Sequence, residues 1–298
     1  MFYNLGSINL DHVYRVNHFV QPGETLASLD LQTLLGGKGA NQSLALARAG
    51  VLVRHIGGIN RSDNWAVNTL TDSGVDVSCV LQTDEPSGHA IIQVDAAGEN
   101  SIILHGGANQ ALSDTHIESS LAMARPGDWL LMQNECNGLE LAMDIAKNKQ
   151  MRVAFNPAPM SENVQALPLA DCAVLIVNEI EAAQLSGMDN KAEATAALLD
   201  RFPDVQLVLT EGSRGAGWHF QNQHEFVAAH EMNVVDTTAA GDTFVGYFLA
   251  TMQSNNDATA ALIKACAASA LAVTVVGAST SIPTMQAVEH FAAITHKQ

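Results

Sequence analysis

The 298-residue sequence has few basic side chains: lysine and arginine together number 14, against 31 aspartates and glutamates, so the formal net charge is −17. No two of these basic residues are adjacent. Nucleic acids and anionic membranes are bound through clusters of lysine and arginine, so the composition argues against partners of either kind. A phosphate-bearing ligand would have to be held by backbone N–H groups, a metal ion and a few individual cations.

Cysteine is also scarce, and no two cysteines form a C-x-x-C pair; they are Cys79, Cys136, Cys172 and Cys266. This spacing predicts reduced, buried thiols in a cytoplasmic protein, not a disulfide or zinc framework. The N-terminus, "MFYNLGSINLD", lacks a basic segment followed by an apolar run, so no secretory signal is expected. The longest mildly apolar run, residues 266–278, is too short to span a bilayer and predicts a buried helix.

Two common nucleotide-binding signatures are missing. The sequence contains no G-x-G-x-x-G, which excludes a Rossmann dehydrogenase, and "GGKGAN" lacks the serine or threonine that ends a P-loop. The 11 histidines show no metal-ligand spacing, so none is assigned to a metal.

Strand-like apolar runs alternate with helical patterns along most of the chain. The predicted strands are residues 128–133, 152–157, 173–178 and 205–212, and the predicted helices are 41–50, 139–150 and 179–187. This alternation predicts an α/β fold: a doubly wound, mostly parallel sheet with helices on both faces, forming one domain over residues 1–298. Ligands of such folds bind beyond the carboxyl ends of the strands, where Asn178, residues 210–215 and residues 237–242 are expected.

Two segments interrupt the alternation, approximately residues 12–35 and 88–104. Both contain strand-like runs around turns, and "DAAGEN" (95–100) is typical of a hairpin turn. They predict a small β-sheet set apart from the main one, acting as a lid; plain edge strands of the main sheet are the alternative. The exposed edges of such a layer favour a homodimer formed through the lid.

The stretch "VVDTTAAGDTFVGYF" (234–248) predicts the end of a buried strand at 234–235 and a helix that begins near Gly241. First-turn N–H groups and the helix dipole suit an anion. The residues just before Asp242 have very small side chains, which would let that anion approach the backbone; they are Ala239, Ala240 and Gly241. Taken alone, Asp242 is explained as a residue that caps this helix or complements its dipole.

Six motifs occur in order along essentially the whole chain: "GSINLD" (6–11), "GGKGANQ" (36–42), "NPAP" (156–159), "NEIE" (178–181), "TEGSRG" (210–215) and "DTTAAGD" (236–242). Together they closely resemble the ribokinase branch of the PfkB family of carbohydrate kinases. The resemblance implies transfer of the γ-phosphoryl group of ATP to the 5-hydroxyl of D-ribose. It also implies Mg²⁺ with the ATP, and a monovalent cation, potassium.

The resemblance implies a role for each motif. Asp242 would be the catalytic base beside an anion hole formed by residues 239–241. The sugar would contact Asn9, Asp11, Gly37, Lys38, Asn41 and Glu135. Asn178 and Glu181 would bind the phosphates and a water-coordinated Mg²⁺. The nucleotide site would be lined by Thr210, Gly212, Ser213 and Gly215. The monovalent-cation site would include Asp236 and Thr238, with Gly277 and Ser281 of the 276–281 loop. Most of these residues also have an ordinary structural interpretation as turn, capping or solvated side chains.

Three positions depart from the family pattern. "RSDNWA" (61–66) replaces a G-x-D-x-x-G run, Tyr247 stands where small residues are usual, and Cys266 replaces an asparagine often found near the adenine. The alternatives left open are a related kinase for deoxyribose, fructose or a nucleoside, and a catalytically silent sugar sensor. Asn9, Asp11 and Glu135 favour ribose, and the intact Asp242 argues against a silent sensor.

Overall fold

The structure is a computed structural model that describes residues 1–295. Over these residues the chain forms thirteen strands and nine α-helices. The strands are β1 (Phe2–Leu5), β2 (Asn9–Arg15), β3 (Asp30–Gly36), β4 (Val53–Asn60), β5 (Asp76–Thr83), β6 (Gly88–Val94), β7 (Asn100–His105), β8 (Trp129–Gln133), β9 (Arg152–Asn156), β10 (Val174–Asn178), β11 (Gln206–Thr210), β12 (Gly215–Phe220) and β13 (Gln223–Ala228). The helices are α1 (Lys38–Arg48), α2 (Asn64–Asp72), α3 (Asp114–Leu121), α4 (Leu139–Asn148), α5 (Glu179–Ser186), α6 (Lys191–Arg201), α7 (Ala240–Asn255), α8 (Ala258–Ala272) and α9 (Met285–Thr295).

The main sheet has nine strands in the order β13-β12-β11-β10-β9-β8-β1-β4-β5. All neighbouring pairs are parallel except β11–β12 and β12–β13, which are antiparallel. The central strands are mostly apolar and buried; every residue of β8, "WLLMQ", is buried. Such continuous burial is what a parallel sheet covered on both faces requires, and the predicted doubly wound architecture is confirmed.

Helices cover both faces of this sheet and create two separate hydrophobic cores. Successive residues of a strand point to opposite faces, so neighbouring residues enter different cores. Phe2 and Leu131 pack with α1, α2, α7 and α8 on one face. Tyr3 and Leu130 pack with α3, α4, α5 and α6 on the other. The fold therefore places α1 and α7 in the same layer.

A second sheet of four strands, in the order β3-β2-β6-β7, is formed by the two segments that interrupt the alternation. It begins at Asn9, slightly earlier than predicted, and β6 and β7 are joined by a turn in which the N–H of Gly98 donates to the Asp95 carbonyl at 3.1 Å. The prediction of a separate small sheet is confirmed, and the alternative of plain edge strands in the main sheet is wrong.

The prediction of a buried strand end at residues 234–235 is wrong. Val234 and Val235 are 62% and 58% exposed and belong to an irregular segment between β13 and α7. The N–H of Val235 donates to the carbonyl of Val273 at 2.8 Å, which ties this segment to the end of α8 and not to a sheet. Two β-branched residues alone are too short a signal to distinguish a strand from an extended connection.

The predicted helix over residues 266–278 is only partly correct, because α8 covers 258–272 and the chain turns away afterwards. No helix among residues 1–295 is long and apolar enough to cross a membrane. The four cysteines are free thiols; three are buried and Cys79 is half-buried.

Candidate active site

Asp242 lies in the first turn of α7. The helix begins directly after Ala239, which has a left-handed backbone conformation (φ 60°). Its carboxylate is 8% exposed and accepts two hydrogen bonds from neighbouring residues of α1. Asn41 Nδ2 donates to Oδ2 at 3.0 Å, and Gln42 Nε2 donates to Oδ1 at 2.9 Å. Asp242 is therefore bonded directly by two neutral amides, which orient a carboxylate without the full charge of a cation.

The close approach of α1 and α7 makes these contacts possible. At Gly246 an added Cβ would lie 2.3 Å from the Cβ of Ala45 and 2.9 Å from the backbone nitrogen of Leu46. Only a residue without a side chain lets the two helices pack this closely. Gly246, one turn beyond Asp242, thus fixes the distance between the carboxylate and α1.

A cavity of about 510 Å³ opens between the small sheet and the first turns of α1 and α7. We call it the acidic cavity. It is lined by all the residues predicted to contact the sugar, by Asp242, by most of those predicted for the cation, and by Ala239 of the predicted anion hole: Asn9, Asp11, Gly37, Lys38, Asn41, Glu135, Asp236, Thr238, Ala239, Asp242 and Gly277.

A second cavity of about 560 Å³ lies beside α7 and α8; we call it the apolar cavity because its walls are mainly apolar. The residues predicted for the nucleotide line it, together with Asn178 and two residues of the anion-hole segment: Asn178, Thr210, Gly212, Ser213, Gly215, Ala240 and Gly241. Ala239 and Asp242 face the acidic cavity, so one turn of α7 lines both cavities. A group transferred between ligands in the two cavities would pass the first-turn N–H groups of this helix.

The acidic cavity has an unusual charge distribution. The pKa of Lys38 is raised, mainly by the negative charge of Asp242 and then by Glu135, Glu181 and Asp11. The pKa of Asp11 is raised to about 7, mainly by burial and then by the charges of Glu135 and Asp242. A single lysine thus lies among four carboxyl groups in a poorly solvated space.

Glu135 follows β8 and is held by two donors. The hydroxyl of Ser7 and the backbone N–H of Lys38, the latter at 3.0 Å, both donate to Glu135 Oε2. Burial nevertheless raises the pKa of Glu135. Ser7, in the "GSINLD" motif, connects β1 to this carboxylate and was not predicted as a site residue.

The orientation of Asn9 is set by Asn109, another residue that the sequence did not indicate. Asn109 Nδ2 donates to Asn9 Oδ1 at 2.7 Å, while the N–H of Ile8 donates to Asn109 Oδ1 at 2.9 Å. Because its oxygen is engaged, Asn9 can offer its NH₂ group to a ligand. Gly88 leaves the space for this pair, since a Cβ there would be 2.0 Å from Asn109 Nδ2.

Asn178 and Glu181 form a capping box at the start of α5. The N–H of Asn178 donates to Glu181 Oε2 at 2.9 Å, and the N–H of Glu181 donates to Asn178 Oδ1 at 2.8 Å. Burial raises the pKa of Glu181, and the charge of Lys38 lowers it. Asn178 lines the apolar cavity, whereas Glu181 lines neither cavity although its charge acts on Lys38.

Asp236 joins two loops that were predicted to meet at a cation site. Its Oδ1 accepts from the N–H and hydroxyl of Thr238 at 2.9 and 2.6 Å, and its Oδ2 accepts from the N–H of Gly277 at 2.8 Å. These bonds lower the pKa of Asp236 against the opposing effect of burial. Ser281 lines neither cavity, and its hydroxyl donates to the Ala278 carbonyl at 2.8 Å.

The loop that contains Gly277 is anchored by Tyr247, one of the three departures from the family pattern. The buried Tyr247 hydroxyl donates to the Pro283 carbonyl at 2.7 Å, and Arg48 Nη1 donates to the carbonyls of Ser279 and Ile282 at 2.8 and 2.6 Å. Tyr247 therefore fits without disturbing Asp242.

No group of three or more His, Cys, Asp or Glu side chains in the described part of the chain is arranged to hold a metal ion.

The other two departures have different surroundings. The "RSDNWA" segment lines neither cavity and packs on residues 84–87, where Arg61 Nε donates to Asp84 Oδ1 at 3.0 Å. Cys266 lines the apolar cavity, and burial raises the pKa of its thiol to about 12, so the thiol stays neutral.

Residues 3–285 match the model of the pfkB family carbohydrate kinases. A ribokinase of Haemophilus influenzae is 37% identical over 292 residues, covering 95% of each chain. A deoxyribokinase of Salmonella typhi is 30% identical over 294 residues, again covering 95% of each chain. The structure of Arabidopsis thaliana ribokinase complexed with ribose and ATP superimposes with a TM-score of 0.86, at 27% identity and with 98% of each chain covered.

Proposed function

The chain belongs to the pfkB family of carbohydrate kinases, and from this premise we propose that it transfers the γ-phosphoryl group of ATP to the 5-hydroxyl of D-ribose. The products are ribose 5-phosphate and ADP. The observation that carries the proposal is the single turn of α7 that lines both cavities and holds Asp242 between them. The similarity to ribokinases, one of them complexed with ribose and ATP, supports the choice of sugar.

The acidic cavity suits a small polyhydroxylated ligand. Asp11 would accept hydrogen bonds from two neighbouring hydroxyl groups, while the amide groups of Asn9 and Asn41 and the carboxylate of Glu135 would contact the remaining oxygens. Gly37 has φ 91° and lies so close to β2 that a Cβ would be 2.8 Å from the Asn9 nitrogen, so its backbone can border the sugar directly. These groups would hold the sugar with its primary hydroxyl toward Asp242.

The chemical step then needs a base and an electropositive site for the phosphoryl group. The Asp242 carboxylate would take the proton of the sugar hydroxyl. At the same time the hydroxyl oxygen would bond to the γ-phosphorus, and the bond between this phosphorus and the β,γ-bridging oxygen would break. The displaced electron pair leaves with ADP. First-turn amides have no acceptor within a helix, so residues 239–241 would direct N–H groups at the phosphoryl oxygens. The Ala240 N–H would exchange its 3.2 Å hydrogen bond to the Thr237 carbonyl for one of these oxygens. Lys38 would offset part of the negative charge.

The residues near the start of α5 would serve Mg²⁺ bound to ATP. Magnesium keeps much of its water shell and takes oxygen ligands, and Glu181 presents a buried carboxylate with one oxygen free of the capping bond. Thr210, Gly212, Ser213 and Gly215 line the apolar cavity where the nucleotide would lie. The bound ion would supply positive charge to the phosphates.

The loops joined by Asp236 would hold potassium. The pKa of Asp236 is lowered, and the Gly277 N–H that donates to this carboxylate brings the 276–281 loop beside it. A carboxylate together with backbone carbonyls of that loop would be a set of oxygen donors that suits a hard monovalent cation. Asp236, Thr238 and Gly277 support this site more directly than Ser281, whose hydroxyl is turned to a carbonyl of its own loop.

The small sheet would act as a lid and as a dimer contact. Ile102 and Leu104 of β7 line the acidic cavity but are 51% and 56% exposed, so closure over a bound sugar would bury them. On the opposite face Leu31, Ile91 and Ile103 are also exposed, which favours pairing with the lid of a second copy in a homodimer. The four free thiols are consistent with a protein that functions in the cytoplasm.

A related kinase for 2-deoxyribose is the second candidate, because a deoxyribokinase is also 30% identical to the chain. The test is incubation of the purified protein with ATP, Mg²⁺ and potassium and one sugar of a panel: D-ribose, 2-deoxy-D-ribose and D-fructose. Coupled detection of ADP gives the rates, and ³¹P NMR shows which carbon carries the phosphate. Ribose 5-phosphate as the fastest product supports the proposal; a faster reaction with another sugar contradicts it.

A further inference from the structure

A continuous series of buried polar side chains leads from Asp242 into the interior of the main sheet. Gln42 Nε2, which donates to Asp242 Oδ1 at 2.9 Å, also lies 3.2 Å from Asn156 Oδ1. Gln133 Nε2 donates to Gln42 Oε1 at 2.7 Å and to Asn4 Oδ1 at 3.0 Å. Gln42 and Gln133 are completely buried and line neither cavity. The carboxylate is thus connected to groups that no substrate can reach.

The series ends at His55, which fixes its direction. Asn4 Nδ2 donates to Ser43 Oγ at 2.8 Å, and Ser43 Oγ lies 2.9 Å from His55 Nδ1. His55 Nε2 lies 3.1 Å from the carbonyl of Gly6, which can only accept, so Nε2 carries the proton and Nδ1 accepts from the Ser43 hydroxyl. Burial lowers the pKa of His55 to about 4, so the ring is neutral at physiological pH.

Each step in this series allows one orientation of the next amide. If the Gln42 amide were reversed, its oxygen would face the oxygens of Asp242 and Asn156, and its NH₂ group would face the NH₂ group of Gln133. Such donor–donor and acceptor–acceptor contacts are expensive in a buried site. Gln133 therefore keeps the Gln42 N–H groups directed at the carboxylate.

We propose that Gln42 is a positioning residue for phosphoryl transfer, that it holds Asp242 through Oδ1, and that Gln133 in turn holds Gln42. This inference rests on the proposed role of Asp242 as the base. Gln42 fixes the position of the carboxylate with a neutral donor, so it adds no further positive charge beside Asp242. A series serving stability alone would gain as much from apolar side chains, since buried polar groups give little net stability even when they are fully bonded.

The test compares Gln42→Met, Gln42→Glu and Gln133→Met with the unmodified chain. Thr251→Val is the matched control: Thr251 is also buried, lies on α7, and donates only to the Tyr247 carbonyl at 2.9 Å. The sugar is whichever of D-ribose, 2-deoxy-D-ribose and D-fructose the unmodified chain phosphorylates fastest. The measurements are kcat, both KM values, the pH dependence of kcat, and the melting temperature.

We expect Gln42→Met to lower kcat by about tenfold to a hundredfold, with both KM values within about threefold, as part of the ~10²–10⁴ contribution of a general base. Gln133→Met should lower kcat in the same direction by less. In Gln42→Glu a second carboxyl group adjoins Asp242, so the acid limb of the kcat profile should move to higher pH. Thr251→Val should leave kcat and the profile unchanged even if it lowers the melting temperature.

The proposal is overturned if kcat of Gln42→Met and Gln133→Met stays within about twofold of the unmodified chain, the precision expected of such kinetics. It is also overturned if Thr251→Val loses kcat to the same degree, or if the acid limb of Gln42→Glu does not move. Gln42→Glu retains the size and shape of the original side chain and so leaves no cavity, which means that it tests the role even if Gln42→Met fails to fold. Lack of turnover of every sugar by the unmodified chain would overturn the proposed function and this role together, whereas a preferred sugar other than ribose overturns the substrate alone.

Discussion

The side-chain amide of Asn41 donates to Asp242 Oδ2 across 3.0 Å, although the two residues are 201 positions apart in the sequence. One lies in the first turn of α1 and the other in the first turn of α7. Two helix N-termini thus converge on one carboxylate at the border of the two cavities. The convergence depends on the packing of α1 against α7, so both the packing and the carboxylate can be tested.

Asp242→Asn should keep sugar and ATP binding but lower kcat by about 10²–10⁴, the usual cost of removing a general base. The asparagine keeps the shape of the side chain but cannot take the proton. Calorimetry would measure binding and a coupled assay kcat. Asp114→Asn, at an exposed first-turn position of α3, is the matched control and should behave like the unmodified chain. Turnover by Asp242→Asn within a few-fold of the unmodified chain would refute the assignment.

Gly246→Ala and Gly241→Ala should have opposite effects. A methyl group at Gly246 collides with α1, so we expect a loss of about 1–3 kcal/mol in the free energy of unfolding, the usual cost of overpacking. At Gly241 no atom lies within 4 Å of an added Cβ, so stability should be kept or rise by about 0.5–1 kcal/mol. The same methyl group adjoins the proposed phosphoryl site and should lower kcat. Chemical denaturation and kinetics on both variants check this, and full activity of Gly241→Ala would count against the anion hole.

The affinity for the sugar should depend on pH near neutrality. Burial disfavours the carboxylate form of Asp11 and raises its pKa from the ordinary value of 3.8 to about 7. Because the folded state holds this proton more tightly than the unfolded state, Asp11 contributes less to stability as pH rises from about 4 to about 7. The sugar requires the carboxylate as a double acceptor, so its affinity should rise over pH 6–8 and protons should be released on binding.

Calorimetry of sugar binding in buffers with different ionisation enthalpies measures this proton release directly. In Asp11→Asn the affinity should be lower and independent of pH over the same range. The free energy of unfolding of Asp11→Asn minus that of the unmodified chain should be larger at pH 8 than at pH 5, because only the unmodified chain loses this contribution to stability as the pH rises. Equal affinity of the unmodified chain at pH 6 and pH 8 would show that Asp11 does not bind the sugar as a carboxylate.

Potassium should raise kcat more than sodium, and tetramethylammonium should not replace either ion. The reason is that a cation held by Asp236 and the 276–281 loop would stabilise the loop that leads into the anion hole. Asp236→Asn should lose most of the potassium effect. Asp257→Asn is the control, since Asp257 also accepts a backbone N–H, that of Ala260 in the first turn of α8 at 3.0 Å, but lines neither cavity. Equal rates in all three ions would remove the cation site.

The main architecture was predictable because it depends on local patterns. The apolar runs that became β8 and β10 and the turn at Asp95–Gly98 are continuous in sequence and specify their own conformation. The motif residues that line the two cavities were also predicted, since each motif lies at a strand end or a helix start. Residues 234–235 failed because a two-residue apolar signal does not distinguish a strand from a connection.

The polar residues that support the site could not be predicted. Asn109 fixes Asn9 from 100 positions away, and Gln133 holds Gln42 from 91 positions away. Gln133 is the last residue of an otherwise apolar strand, where a single glutamine has no pattern that indicates a partner. Only Gln42, within "GGKGANQ", had a local signal. Such contacts depend on how the strands and helices pack in three dimensions. The sequence pattern predicts the fold class but not these individual side-chain contacts.

D-Ribose should be phosphorylated with a higher kcat/KM than 2-deoxy-D-ribose, and Asp11 should cause the difference. A carboxylate can accept from two adjacent hydroxyl groups at once, and a deoxy sugar leaves one of these positions empty. An unsatisfied buried acceptor costs about 1–3 kcal/mol, more if it is charged, which corresponds to a factor of roughly ten to a hundred or more in kcat/KM.

In Asp11→Asn both sugars should react more slowly, and the ratio between them should fall, because the amide keeps only one acceptor oxygen. The measurement is kcat/KM for both sugars at one concentration of ATP, Mg²⁺ and potassium. Gln32→Glu, on the same wall of the acidic cavity but nearer the open end of the small sheet, tests whether a general change of charge has the same effect, and it should leave the ratio unchanged. Comparable values for ribose and 2-deoxyribose in the unmodified chain would show that Asp11 does not recognise the diol and would favour the deoxyribokinase alternative.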